Sequence, residues 1–105
     1  MTEQRYTEVS TLLIETAKEI ENAKRPGYTR GEADVLTNFK DVAQRVGVTP
    51  MQAWAVYFLK HVDAITSVAK NPDIPQAEAI EGRFADAVNY LKLGWALLND
   101  TENRP

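Results

Sequence analysis

Large apolar residues recur along this chain at three- and four-residue steps, and nowhere in sustained alternation. The first period belongs to a helix and the second to a strand, so every long segment predicts a helix and none a strand. In the first segment Val9, Leu12, Leu13, Ala17, Ile20 and Ala23 share one face. Pro26 and Gly27 predict its end. Thr29 with Glu32 offers a capping box for a second helix, and Asp34 is the alternative cap. That short helix carries Val35, Leu36, Phe39, Val42, Ala43 and Val46, with Gly47 as its stop. Thr49, Pro50 and Gln52 form a start signal for a third helix over 51–69. Its stripe is Trp54, Tyr57, Phe58, His61, Val62, Ile65 and Val68. A turn with two prolines follows. Asp73, with Gln76 three residues on, predicts a cap for a fourth helix, whose stripe is Ile80, Phe84, Ala87, Val88, Leu91, Trp95 and Leu98.

The expected fold is all-α, a compact bundle of about four helices with no sheet. It forms one domain over residues 1–105, with a frayed polar tail from about residue 99. Both tryptophans and most of the stripes are expected inside, at roughly 1.5–3 kcal/mol for each large side chain. The apolar faces of the third and fourth helices are wide for one small bundle, and this predicts a homo-oligomer.

Composition narrows the functional classes. At 44% hydrophobic residues the chain is too apolar for a disordered one. A formal net charge of -3 argues against binding duplex nucleic acid, where a basic face dominates affinity. It leaves room for a small anion held by a local cluster of cations. With no cysteine there is no disulfide, thiolate metal site or cysteine nucleophile. The polar start "MTEQRYTEVS" is not a secretory signal, and no apolar run is long enough to span a bilayer. The expectation is a cytoplasmic protein with no membrane partner.

Three stretches could carry chemistry. The first is "AKRPGYTRGEADVL", which places Lys24, Arg25 and Arg30 around a proline and two glycines. Loop N–H groups and a helix start would add to its attraction for an anion, and arginine suits bidentate phosphate contact. The same loop also reads as a solvated helix end. The second is "LKHVDAI", with Lys60, His61 and Asp63. Lys60 and Asp63 can simply pair, and His61 on an apolar stripe reads as a core residue. As a site, Lys60 would bind phosphate and His61 would orient it or move a proton. The third is "EAIEGRFADAVNYL", where Glu78 and Glu81 precede Arg83, Asp86 and Tyr90. Carboxylates at such steps could hold Mg²⁺, although acidic residues also suit a helix's first turn. Arg83 and Asp86 read as a buried or half-buried ion pair that could face a ligand.

In their order, "AKRPGYTRGEADVLTNFKDVA", "FLKHVDAI" and "RFADAVNYLKL" resemble small helical phage proteins similar to the nucleotide modification associated domain. More distantly they resemble the all-α MazG-like nucleotide pyrophosphatases. The resemblance spans roughly residues 12 to 98 and rests on Arg25, Gly27, Tyr28, Asn38, Phe39, Lys60, His61, Asp86, Asn89 and Tyr90. It implies a basic pocket of Lys24, Arg25, Arg30, Lys60, His61 and Arg83, beside Asp86, with Tyr28 or Tyr90 stacking on a base. The leading expectation is thus a phage-type protein that binds a nucleotide or nucleotide-derived anion, for nucleotide metabolism or to sequester a signalling nucleotide. No cofactor is expected. The MazG-like enzymes carry two acidic pairs on successive helices, and only Glu78 and Glu81 make such a pair here. A Mg²⁺-dependent pyrophosphohydrolase with Asp63, Glu78, Glu81 and Asp86 as ligands is the second expectation. The third is an oligomeric interaction module without a small-molecule site, using the surfaces around Trp54, Tyr57 and Trp95.

Overall fold

The computed structural model describes residues 1–29, 31, 33–76 and 79–100, with Tyr28 described by its backbone alone. Four helices follow in order: α1 (Glu3–Thr29), α2 (Thr37–Val46), α3 (Pro50–Lys70) and α4 (Ile80–Asn99). Among the described residues there is no strand. Helix α4 packs against α3 and α1, and α2 packs against α3 with a lighter contact to α1.

Local chemistry sets several boundaries as expected. Thr49 accepts from the Gln52 N–H at 3.1 Å while the Gln52 side chain accepts from the Thr49 N–H at 2.9 Å. The two orphan donors at the head of α3 are thereby satisfied. Gly47 ends α2 with φ of 81°, in the left-handed region that only glycine enters without strain. Both its N–H and that of Val48 reach the Ala43 carbonyl.

Two boundaries differ from expectation. Helix α1 runs through Pro26 and Gly27 to Thr29. Pro26 lies in the last turn, where its missing N–H removes one hydrogen bond and breaks nothing beyond it. The left-handed glycine comes later, at Gly31 with φ of 80°. The capping box of Thr29 with Glu32 lies outside the described residues. Asp34 orders the start of α2 instead: its carboxylate accepts from the Leu36 N–H at 2.9 Å and pairs with Lys40. Helix α4 begins at Ile80, so Asp73 caps nothing there. The residue before Pro75 is disfavoured in the helical region, and residues 71–76 are not helical.

The core joins α2, α3 and α4. Leu36, Phe39, Tyr90 and Leu97 are its buried members, with Met51, Trp54, Tyr57, Phe58, Leu93 and Ala96 packed around them. Helix α1 is attached more by polar groups than by apolar ones. Asn89 donates to the Ala17 carbonyl at 2.8 Å, Lys92 pairs with Glu21 at 2.6 Å, and Thr16 donates to Glu81 at 3.0 Å.

The fourth stripe is not the packing face. Phe84, Leu91, Trp95 and Leu98 are exposed, Trp95 by 69%. The buried side of α4 is Ala85, Asp86, Asn89, Tyr90, Gly94 and Leu97. Small residues decide this: the Trp54 indole lies so close over Gly94 that a Cβ there would meet Trp54 Cζ2 at 2.4 Å. Helices approach most closely where side chains are absent, so α4 turns its small and polar face inward.

Candidate functional site

Asp86 is the centre of the polar junction between α1, α3 and α4. It is 5% exposed, which is rare for a carboxylate without partners. Helix α1 supplies Lys24, whose Nζ lies 3.0 Å from Asp86 Oδ1. Helix α3 supplies His61, whose Nδ1 lies 4.0 Å from Asp86 Oδ2, beyond hydrogen-bonding distance. Two turns of packing hold these helices in register. Trp54 stacks on Phe58 with ring centroids 5.1 Å apart and donates its N–H to the Tyr90 carbonyl at 2.6 Å. Tyr90 lies against His61 at 4.6 Å on one side and against Tyr57 at 6.5 Å.

The junction is rich in positive charge. Burial is the largest influence on His61, and it lowers the imidazole pKa from its ordinary 6.5. Asp86 opposes that shift, while Lys24, Lys60 and Arg83 add to it. Lys24 of α1 thus pairs with the carboxylate, while the charges of Lys60 on α3 and Arg83 on α4 help to hold the imidazole neutral. Among the described residues three buried side-chain polar atoms lack a partner, one of them Asn89 Oδ1. His61 Nδ1 and Arg83 Nε are both buried with no hydrogen-bond partner. Native interiors pair nearly all such groups, so these two mark the polar wall where an added acceptor would be welcome.

Four residues expected at a site meet here, Lys24, His61, Asp86 and Tyr90. Lys60, exposed on α3, and Arg83 act on His61 through their charge alone. Arg25 turns away, to Glu21 at 3.5 Å. Glu21 also holds Lys18 at 3.2 Å, and these cations with Lys92 keep its carboxyl below the usual range. Tyr90 is 9% exposed and its ring already packs on His61, Tyr57 and Phe39, so it supports His61 and offers no free face to a base. Arg30, Glu78 and the Tyr28 side chain lie outside the described residues. Asp63 is exposed on α3, and Glu81 is taken up by Thr16. Among the described residues no three of His, Asp and Glu gather as a metal site.

Sequence reasoning missed the role of Asn89, which is 2% exposed and pins α4 to the Ala17 carbonyl. Its place three residues after Asp86 was the available signal: one turn on, it faces the same neighbour. It also missed the Glu21 hub, because one glutamate among several on a long helix carries no distinguishing pattern. A separate cleft of 350 Å³ lies between α2 and α3, lined by Val42, Val46, Val48 and Val56 with Tyr57. It contains no charged residue, so it does not extend the cationic junction.

Acid should weaken the fold in two stages. The folded pKa of His61 is lowered, so below 6.5 the unfolded chain takes up a proton that the folded chain refuses. Stability is complete above that value and is lost as the pH falls through it. Glu21 and Asp34, both lowered from 4.5 and 3.8, contribute a second loss at more acid pH. Thermal melts between about pH 7 and pH 5.5 should show the first stage in wild type and not in His61→Gln. Parallel curves for the two proteins would disprove this assignment.

No family model matches the chain, and neither a curated protein nor a solved structure does. Fold and junction together define a small all-α protein with a buried aspartate, paired to Lys24, where three helices meet. Among its described residues no helix is long and apolar enough to cross a membrane.

Proposed function

We propose that this is a cytoplasmic phage-type protein that binds a nucleotide or nucleotide-derived anion through its phosphate, as an oligomer. One observation supports the binding most. Lys24 pairs with the buried Asp86 beside His61, the charges of Lys60 and Arg83 reach the imidazole, and His61 Nδ1 and Arg83 Nε are buried without a partner. A phosphate on the His61 and Arg83 side of the junction would take a charge-assisted hydrogen bond from Arg83, with Lys24 already neutralising the Asp86 carboxylate. It would also favour the protonated imidazole, so binding should strengthen as the pH falls toward 6 or so. Resemblance to nucleotide-handling helical proteins points to a nucleotide as the carrier of that phosphate. Metabolism of the nucleotide and its sequestration are both compatible with such a pocket.

The test is thermal melting against ATP, cyclic nucleotides and inorganic pyrophosphate. A ligand at a hundred times its dissociation constant adds about 2.7 kcal/mol of stability, worth several degrees in a domain of this size. Lys60 is the residue to remove first, because it is exposed and forms no ion pair among the described residues. Lys60→Ala and Arg83→Ala should each abolish most of the shift, and Asp63→Ala should leave it intact. If none of these anions raises the melting temperature, or if the shift survives in the Lys60→Ala, Arg83→Ala double variant, the proposal fails.

A further inference from the structure

Helix α4 packs into the bundle through its small and polar face, and its large apolar face is left outward. The outward face is a seam of Phe84, Val88, Leu91, Trp95 and Leu98, spaced by alternating steps of four and three. At 100° per residue these five lie within a band about 80° wide. Such a seam is what one helix presents to another in side-by-side packing. Phe84 is 44% exposed, Leu91 55%, Trp95 69% and Leu98 47%.

Comparison with α3 shows that this is no ordinary surface. The outward face of α3 mixes Val56 and Leu59 with Gln52, Lys60, Asp63, Thr66 and Lys70. The outward face of α4 has charges only at its margins. Glu81 stands at one end, tied to Thr16, and Lys92 is drawn sideways to Glu21. Between them the seam is uncharged.

We propose that this face of α4 docks on the same face of a second copy of this chain. The identity of the partner follows from charge and symmetry. A twofold contact sets a surface against itself, so any charge in its middle would meet its like. Here no charge stands in the middle, and the apolar residues that need a cover meet apolar residues that need one. An acidic or basic partner would find no opposite charge on the seam. The area also fits. With aromatic side chains of 150–250 Å² each, the four exposed residues offer about 400 Å² per copy, within the range of the largest patch on a monomer. A standard interface buries about 800 Å² per partner, so the seam alone makes a contact of the small, reversible class. This inference is independent of the anion junction, which centres on Asp86 on the buried side of α4.

Sedimentation equilibrium of the full chain tests it. The wild-type mass should rise from 11.8 kDa to at least twice that over roughly a hundredfold range of concentration. Leu91→Glu and Trp95→Glu should weaken association about tenfold or more, with helical circular dichroism unchanged. Leu59→Glu, on the exposed face of α3, should associate as wild type does. Leu98→Gln is the milder change at the same seam, should a glutamate variant fail to fold. A wild type that stays at 11.8 kDa throughout overturns the proposal. So do seam variants that associate as tightly as wild type, or a Leu59→Glu variant that dissociates as readily as they do.

Discussion

Phe39→Ala is expected to lower the stability of this domain by about 3–5 kcal/mol, the usual cost of an aromatic truncation in a sealed core. Phe39 is 1% exposed. It meets Tyr57 edge-on at 5.9 Å and Tyr90 at 6.1 Å, so its loss removes two aromatic contacts along with its buried area. Leu36, Tyr90 and Leu97 are the other buried members of its cluster, and three side chains cannot close around a hole of that size. Against a total of about 5–15 kcal/mol, the variant would stand near its unfolding threshold at room temperature. Urea unfolding followed by circular dichroism measures the loss. A value below about 1.5 kcal/mol would mean that α2 does not seal the core as described. The effect would also reach the site, because Tyr90 supports His61 from the Phe39 side.

Gly94→Ala is the second. In an exposed helix this change stabilises by about 1 kcal/mol, since glycine is the more costly helix residue. Here the new methyl would stand 2.4 Å from Trp54 Cζ2 and 2.5 Å from Cε2. The indole cannot swing aside without leaving Phe58 and giving up its bond to the Tyr90 carbonyl. Helix α3 must instead move off α4, and overpacking of this kind costs about 1–3 kcal/mol net. Gly82, with nothing within 4 Å of its would-be Cβ, is the control, and Gly82→Ala should be neutral or stabilising. Equal melting temperatures for the two variants would refute the close approach of α3 to α4. Because Asp86 lies on α4 and His61 on α3, the same displacement should weaken any anion bound between them.

The candidate site was partly legible beforehand. Lys24, His61 and Asp86 drew attention as charged or titratable residues at otherwise apolar or helix-end positions, and the fold brings these three together. Arg25 drew the same attention and belongs elsewhere. Neighbours in sequence on a helix point about 100° apart, so Lys24 and Arg25 cannot serve the same partner. The sequence showed two adjacent cations; only the setting of α1 against α4 chose between them.

Chemistry confined to a few consecutive residues was determined by the sequence alone. The box at Thr49, the left-handed stop at Gly47 and the helical period of every long segment need no distant partner. Which side of each helix faces inward is a different matter. On α4 the large apolar residues predicted burial, yet the tertiary structure turned Ala85, Asp86, Asn89, Tyr90 and Gly94 to the core. Hydrophobicity rewards any cover for an apolar face, whereas close packing selects the face whose shape admits a neighbour. Trp54 finds that shape only at Gly94, and the polar ties from Asp86 and Asn89 to α1 complete the choice. The period of a helix is local, but its rotation is decided by the surfaces it meets.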